Sequence, residues 1–592
     1  MSAEYIIGID LGTTNSVVAY VPYGDESLEM SLLEIPQTVA PGTIENRTSL
    51  PSFIYLPLKD EAGFELPWKE SPEFVVGEFA RRQSAEIPDR TVGGAKSWLA
   101  YHKVDRRSAI LPWNAPDDVA KISPVEAATA YLQHIVAAWN HQFPNSKLAD
   151  QQVVLTVPAS FDASARELTR EAAKEAGLPE EFVLLEEPQA ALYSWLNETG
   201  NQWRKILNVG DAVLVVDVGG GTTDLTLVTV SESDGELELK RVAVGNHLLV
   251  GGDNMDLALA HLASTRFAEQ GTQLDPWQSV SLWHSCRAAK EFLLKDDGPE
   301  TQSISVAGRG KKLIGGSVSI DLQKSEVQSL LLDGFLPECE LTEHAQKQRA
   351  SGFQQLGLPF ESETGITRHI AEFLSQHADG DSPVQPTDLL VNGGVFKAAE
   401  LSNRLLSVLE GWFPENPPKI LVGERDLDNA VARGAAYYGW TKEHQGVRIR
   451  GGTARSYYIG VETAGLAVPG LARPLNALCV VPRGMEEGTE TDVPSSEIGL
   501  IVGEPAQFRF FSSAVRKDDK PGEILSRWAP DELVETDPLE ATLSSEESED
   551  GYSVPVRFQS RITELGVFEL WCVGINSDQK WKLEFSVRDD ES

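Results

Sequence analysis

Cysteine is scarce in this chain of 592 residues, which holds only Cys286, Cys339, Cys479 and Cys572. They lie far apart and form no C-x-x-C pair, which argues against a zinc site and a disulfide framework and fits a reducing cytoplasm. Long apolar runs are missing as well. No uncharged stretch reaches the roughly 18 apolar residues a membrane helix needs, so no membrane span is read. The apolar run from Tyr5 is broken at Asp10 and has no basic segment before it, so no targeting signal is read either. Positive charge is in deficit, with 51 Lys and Arg against 89 Asp and Glu and a formal charge of −38. A chain this acidic repels nucleic acid and anionic membrane, and both are discounted as partners, while basic or unfolded polypeptide stays compatible. Also lacking are G-x-x-x-x-G-K-S/T, H-E-x-x-H and G-x-S-x-G, which removes P-loop, zincin and serine-hydrolase readings. The ten histidines are scattered, and no metal role is read for them.

What the chain does contain is a pair of short segments that read almost alike. They are I-D-L-G-T-T-N-S from Ile9 to Ser16 and V-D-V-G-G-G-T-T-D from Val216 to Asp224. Each is an apolar strand, an Asp, a run of Gly and Thr, and a second apolar strand. Tyr5 to Ile9 runs into Val17 to Tyr20, and Val213 to Val216 runs into Leu225 to Val230, a hairpin pattern in both cases. Small residues at such turns let backbone N–H groups form a concavity for an anion, and the Thr hydroxyls add donors. Asp10 and Asp217 would repel phosphate unless a cation lay between, and a nucleotide with Mg²⁺ resolves that conflict. One such turn alone is most often only a hairpin. Two of them, repeated at domain scale, predict duplicated lobes facing each other across a cleft.

The length predicts two to four folding units. Residues 1 to about 447 alternate strand-like and helix-like segments, the signature of an α/β architecture. A helix is expected from an N-cap at Ser164, with Glu167 completing a capping box, to a terminator at Gly177. Val153 to Val157 before it reads as a buried strand. A second helix is expected to open at Asp253 after Gly251 and Gly252, and a third to carry Leu401, Leu405 and Leu409. Because both follow paired glycines, their N-termini are candidates to face a ligand. Between Gln323 and Pro386 the pattern is helical but irregular. The basic, aperiodic run from Arg448 to Ser456 reads as a linker. Beyond it, Trp581, Leu583, Phe585 and Val587 alternate with Lys582, Glu584, Ser586 and Arg588, and Val554, Val556 and Phe558 follow the same period, predicting an all-β sandwich. Nine acidic residues from Asp531 to Asp550, with no Lys or Arg among them, read as a solvated loop. Trp528, Trp571 and Trp581 are expected in the core rather than on a peptide platform.

Five further motifs accompany the paired hairpins in a fixed order: V-P-A-S-F-D from Val157, E-E-P-Q-A-A-L from Glu186, V-G-G-D-N-M-D from Val250, L-V-N-G-G from Leu390 and A-V-A-R-G-A-A from Ala430. I-G-V-E-T-A-G from Ile459 and V-P-R-G from Val481 follow. Over nearly its whole length the chain resembles the heat-shock-70 (DnaK-like) chaperone family. The resemblance implies an actin-like ATPase domain of ribonuclease-H-like duplicated lobes over residues 1–447, a linker over 448–456 and a peptide-binding β-sandwich over 457–592. It further implies that Gly12, Thr13, Thr14 and Asn15, with Gly219, Gly220, Gly221 and Thr222, cradle the phosphates of ATP or ADP. Asp10 and Asp217 would hold Mg²⁺ through water, while Glu187 and Asp224 would orient the attacking water and the metal's hydration shell. Gly251 and Gly252 would line the phosphate side, and Gly393 and Gly394 would pack beneath the adenosine. Implied partners are unfolded or extended polypeptide, a DnaJ-like co-chaperone and a nucleotide exchange factor, in protein folding under stress.

Departures from the family pattern set further expectations. The family's catalytic lysine falls at Arg81, in G-E-F-A-R from Gly77, so slow ATP hydrolysis is expected. In the adenosine pocket Lys290 matches, but Glu291 and Leu294 stand where the family has arginine and serine, and Lys397 replaces another arginine. The linker lacks the leucine-rich run through which the family couples its domains, so coupling is in question. Only Asp589 to Ser592 follow the sandwich, so no helical lid is expected and a bound segment should leave faster. Two other readings stand beside the slow ATPase chaperone: a nucleotide-binding scaffold for one dedicated partner, and a small-molecule kinase on the same fold.

Overall fold

Ile6, Ile7, Ile9 and Leu11 are all buried in the first strand, β1 (Tyr5–Leu11), as befits a strand covered on both faces. The computed structural model of the chain describes residues 3–24, 28–101, 103–113, 115–233, 236–306, 318–346, 361–377, 383–423, 426–444, 447, 449–453, 455–462, 475–486, 488–501, 505–529, 532–542, 553–563, 568–575 and 579–585. β1 pairs antiparallel with β2 (Asn15–Pro22). Three helices follow: α1 (Glu78–Glu86), α2 (Ala95–Ala100) and α3 (Pro124–Gln142). On its other side β1 pairs parallel with β3 (Gln152–Val157); α4 (Ala163–Glu175) leads from there to β4 (Val183–Glu186), parallel to β3, and on into α5 (Glu187–Thr199).

The second sheet repeats this plan. β5 (Ala212–Val218) pairs antiparallel with β6 (Thr223–Ser233), which continues into β7 (Glu236–Val244). After α6 (Gly252–Glu269) and α7 (Pro276–Leu293), β8 (Asp388–Asn392) lies parallel to β5 and is itself flanked by the parallel strand Lys419–Ile420. In each sheet a hairpin's first strand is thus followed, on the side away from its hairpin partner, by two parallel strands in succession, so the duplication expected from the sequence is present in the topology. Helices α8 (Ala399–Trp412) and α9 (Ala430–Glu443) complete this part. The small residues of A-V-A-R-G-A-A let α9 lie between α5 and β1: a Cβ on Gly434 would stand 1.7 Å from the carbonyl oxygen of Ala190, and one on Gly8 would stand 2.3 Å from that of Ala432.

Several expected elements fall where they were read, including β3, α6 one residue earlier than expected, and α8 with Leu401, Leu405 and Leu409 buried. The irregular region after Gln323 holds two helices, Lys324–Phe335 and Ile366–Gln376, with residues 347–360 and 378–382 outside the described ones. α4 corrects the expected cap. Asp162, not Ser164, accepts the N–H of Ala165 (2.7 Å), and Ser164 is buried with its hydroxyl on Asp537 (2.6 Å). Both residues can cap a helix, and only the burial of Ser164 against the sandwich separates them.

The stretch read as an aperiodic linker contributes a strand. β9 (Ile449–Arg450) adds in parallel to β7, with Leu239 opposite Ile449, and the N–H of Ile449 donates to the Tyr193 hydroxyl (2.8 Å). Two residues are too few to show a period, and an edge strand joins through backbone groups that any sequence carries.

The sandwich comprises β10 (Ser456–Glu462), β11 (Leu475–Val481), β12 (Glu490–Ile501), β13 (Pro505–Ser513), β14 (Ile524–Leu525), β15 (Val534–Thr542), β16 (Ser553–Ile562), β17 (Phe568–Gly574) and β18 (Lys580–Phe585). Their order is β12-β16-β17-β18-β15-β13-β10-β11-β14. Trp581 and Leu583 face the core with Ile459, Phe510 and Phe558, while Ser586, Val587 and Arg588 lie outside the described residues. β15 corrects the solvated-loop expectation for the acidic stretch. Glu535 is held across the strands by both donors of Arg509 (2.6 and 2.7 Å), and such cross-strand pairing lets acidic residues occupy a strand. Residues 543–552 of that stretch are outside the described ones.

The sandwich docks on the first lobe. Asp537 pairs with Arg106, whose side chain is 1 % exposed and also donates to the Ser164 hydroxyl (2.6 Å) and the Leu99 carbonyl (3.1 Å). Arg483 donates to the Val242 carbonyl (2.5 Å) of β7. Among the described residues no helix is long and apolar enough to cross a membrane.

Candidate functional site

The two hairpin turns, residues 12–14 between β1 and β2 and 219–222 between β5 and β6, line one cleft with about 1880 Å³ of open space. Each turn is braced by its own lobe. Ser52 donates its N–H to the Thr14 carbonyl (2.9 Å) and its hydroxyl to the Gly12 carbonyl (2.7 Å). In the second turn the Gly219 and Gly220 carbonyls accept the N–H groups of Gly252 (3.0 Å) and Asp253 (2.6 Å). The first N–H groups of α6 are therefore spent on the turn rather than offered to a ligand, which corrects the expectation for that helix end.

Of the residues read as site residues, Asp10, Gly12, Thr13, Thr14, Asn15, Arg81, Glu187, Asp217, Gly219, Gly220, Thr222, Asp224, Gly252, Lys290, Gly393, Gly394 and Lys397 line the cleft. Gly221 and Gly251 stand behind it. A Cβ on Gly221 would meet the Ser97 hydroxyl at 2.6 Å, and one on Gly251 would meet the Gly219 carbonyl at 2.7 Å, so both act by letting backbone pack behind the second turn. Gly393 has φ +91°, and a Cβ there would stand 2.8 Å from Asp217 Oδ1.

The cleft floor gathers four carboxylates. Burial, then the charge of Glu187, raises Asp217 from 3.8 to about 8, against a hydrogen bond from Asn392 Nδ2 (2.9 Å). Asp10 is raised for the same two reasons, opposed by Lys96 and the Thr156 hydroxyl. Glu187 and Asp224 are raised by burial, and Asp224 Oδ1 finds no hydrogen-bond partner among the described residues. Lys96 sits among them with its Nζ on Glu187. Burial alone would lower it, but Glu187 and Asp10 outweigh burial and raise it. One buried cation among four carboxylates leaves an excess of negative charge, and a divalent cation fits that excess. Among the described residues no group of three or more His, Cys, Asp or Glu is placed to hold a metal ion directly.

Arg81 stands at the cleft edge with its side chain 44 % exposed. It is turned back on its own helix, with Nε and Nη2 donating to Glu78 (both 3.1 Å). At the far end Lys290 binds Asp256 (2.6 Å) and the Gly252 carbonyl (3.1 Å), Lys397 pairs with Asp428, and Glu291 and Leu294 share the wall. Sequence reasoning missed Lys96, Asn392 and Arg287. Arg287 joins Asp253 to Asp256 (2.7 Å to the latter). Asn392 lay within a motif already quoted, whereas Lys96 is signalled only by the G-G-A-K run from Gly93 that opens α2.

Two duplicated lobes closing on a cleft of facing Gly-Thr turns and buried carboxylates, followed by a β-sandwich, define the actin-like class with an appended sandwich. A family model described as Hsp70 protein matches residues 66–336. The chaperone protein DnaK of Stenotrophomonas maltophilia (strain R551-3) is 25% identical over 433 residues, which cover 68% of this chain and 61% of that protein. Over these residues the chain is similar to the heat-shock-70 family.

Proposed function

We propose that the chain is a cytoplasmic, chaperone-like protein that binds ATP or ADP with Mg²⁺ between its lobes, hydrolyses ATP slowly, and holds unfolded or extended polypeptide through its sandwich. The observation that carries this reading is the convergence of both Gly-Thr turns on a floor of four buried carboxylates with one cation. The named relative, a chaperone protein, supports the same direction. We assign the nucleotide to residues 1–447, a linker to 448–456 and partner binding to 457–592.

In this reading Thr13, Thr14 and Asn15 on one side and Gly219, Gly220 and Thr222 on the other offer backbone and hydroxyl donors to the phosphates. Asp10 and Asp217 hold Mg²⁺ through water; when bound, the ion neutralises charge on the phosphates. Glu187 and Asp224 orient a water for attack, and Lys290 and Lys397 bound the nucleoside side with Gly393 and Gly394. Positioning and charge neutralisation are sufficient for phosphoryl transfer to water. The family's lysine position holds Arg81, which is engaged by Glu78, so that position offers no ammonium to the phosphates and hydrolysis is expected to be slower than where a lysine stands there. A DnaJ-like co-chaperone and an exchange factor are the partners such a cycle calls for.

The test is phosphate release and Mg·ADP binding in wild type beside Asp217→Asn, with a mixed peptide library present. Wild type is expected to bind Mg·ADP and release phosphate, and the variant to lose roughly a hundredfold in rate. Equal release from the two would remove the ATPase assignment.

A further inference from the structure

We propose that Lys96, not Arg81, is the cation that faces the terminal phosphate of a bound nucleotide. The inference rests on the nucleotide-binding reading above and names the group within it that carries the positive charge. Lys96 is only 11 % exposed, lines the cleft with Asp10, Glu187, Asp217 and Asp224, and feels the charges of Glu187, Asp10 and Asp224. No other lysine or arginine among the described residues is placed at the centre of that carboxylate group.

Its backbone is fixed from two sides. Gly94, at φ 65°, turns the chain into α2 and its carbonyl accepts the Ser97 N–H (3.0 Å), while Trp98 and Leu99 anchor the helix in the core. Ser97, the next residue, lies against Gly221 of the opposite lobe's turn, so closely that a Cβ on that glycine would stand 2.6 Å from its hydroxyl. Lys96 is therefore held beside both phosphate turns at once. Arg81 has the opposite situation. It is exposed and spends its donors on Glu78, which is buried and also holds Arg82 (2.7 Å) and Arg47 (3.1 Å).

The pairing of Lys96 with Glu187 gives the cation a second role. An arriving phosphate competes for the ammonium, and Glu187, once released, is free to accept a hydrogen bond from the attacking water. In the step itself a water oxygen bonds to the γ-phosphorus as the bond to the β,γ-bridging oxygen breaks. ADP leaves with that electron pair, and the water's proton passes to a phosphate oxygen. Lys96 forms no covalent bond and keeps its proton; it neutralises charge that is greatest when both P–O bonds are partial.

The experiment compares wild type, Lys96→Gln, Lys96→Arg and Arg81→Ala in single-turnover hydrolysis and in calorimetric affinity for Mg·ADP and for Mg·ATP. Lys96→Gln is expected to lose roughly a hundredfold in rate and to lose any preference for ATP over ADP, while still binding Mg·ADP. Lys96→Arg, which keeps the charge and the pairing with Glu187, should recover part of that rate. Arg81→Ala should lose at least about tenfold less than Lys96→Gln. A Lys96→Gln enzyme with the wild-type rate and the wild-type ratio of affinities would overturn the proposal, as would an Arg81→Ala loss equal to or larger than that of Lys96→Gln. If Lys96→Gln does not fold, Lys96→Arg decides alone, because a rate at or above wild type with an unchanged ratio of affinities counts against the proposal and a shifted ratio supports it. Wild type that binds neither nucleotide removes the underlying reading, an outcome distinct from binding that ignores position 96.

Discussion

Asp217 is placed where the fold and the proposed Mg²⁺-holding role ask for different charge states. Burial and the charge of Glu187 raise it to about 8, so near pH 7 the ligand-free fold keeps it largely protonated, and Asp10 is pushed the same way. A carboxyl whose folded pKa lies above its unfolded value costs nothing at low pH and more as pH rises, because the fold then binds protons the unfolded chain has lost. The window runs from about pH 4, the unfolded value, up through about 8, the folded one. Ligand-free wild type is therefore expected to lose more melting temperature between about pH 5 and pH 8 than Asp217→Asn does, and parallel pH profiles would contradict this. Binding of Mg·ADP should reverse the preference and expel protons. Calorimetry near pH 7 in buffers of different ionisation enthalpy should show net proton release, and a heat independent of buffer would contradict it. The acids themselves were legible in the sequence because they sit in repeated turns. Their neighbour Lys96 was not, since nothing in G-G-A-K says which way a helix will aim its second side chain.

At the scale of elements, glycines of α8 and α9 carry opposite consequences for one and the same change. Gly434 faces α5 so closely that a Cβ would fall 1.7 Å from the Ala190 carbonyl, and backbone on both sides leaves no flexible atom to yield. Gly434→Ala is expected to destabilise by about 3 kcal/mol, the upper end for overpacking, because α9 must move off α5. Gly411 lies exposed in α8 with nothing within 4 Å, so Gly411→Ala should stabilise by about 0.5 kcal/mol through helix propensity and a less flexible unfolded chain. Urea unfolding of the two variants checks both signs; a neutral Gly434→Ala would mean that α9 is not seated on α5. Elements with a long period or a repeated turn, such as β1, β5, α8 and β18, could be read from sequence. β9 could not, because two residues carry no period, and the cap of α4 could not, because Asp162 and Ser164 are chemically equivalent until the sandwich buries one of them.

For the whole molecule, the seam between lobe and sandwich meets the cleft through the chain itself. Glu186 takes Arg166 (2.8 Å) on one oxygen and Arg241 on the other, and Arg241 also donates to the Gly452 carbonyl just beyond β9. The next residue after Glu186 is Glu187, on the floor of the cleft, so a shift of the linker has a two-contact path to the carboxylate that pairs with Lys96. Arginine and a backbone carbonyl, rather than a leucine-rich run, make the contact between this stretch and the lobes. The docking itself depends on Arg106, buried to 1 % exposure, and its pairing with Asp537. Asp537→Ala removes that partner and leaves Asp162, 3.8 Å away, as the nearest carboxylate, so the docked state carries a poorly compensated buried charge that undocking would return to water. A cost of about 3 kcal/mol would shift the docking equilibrium by roughly a hundredfold. Asp537→Ala should therefore raise the radius of gyration in solution scattering and speed proteolysis within residues 448–456, while Mg·ADP affinity stays near wild type because the cleft lies in the lobes alone. Unchanged scattering and unchanged proteolysis would show that this pair does not hold the sandwich, and a lost Mg·ADP affinity would show that the cleft needs the docked sandwich to form.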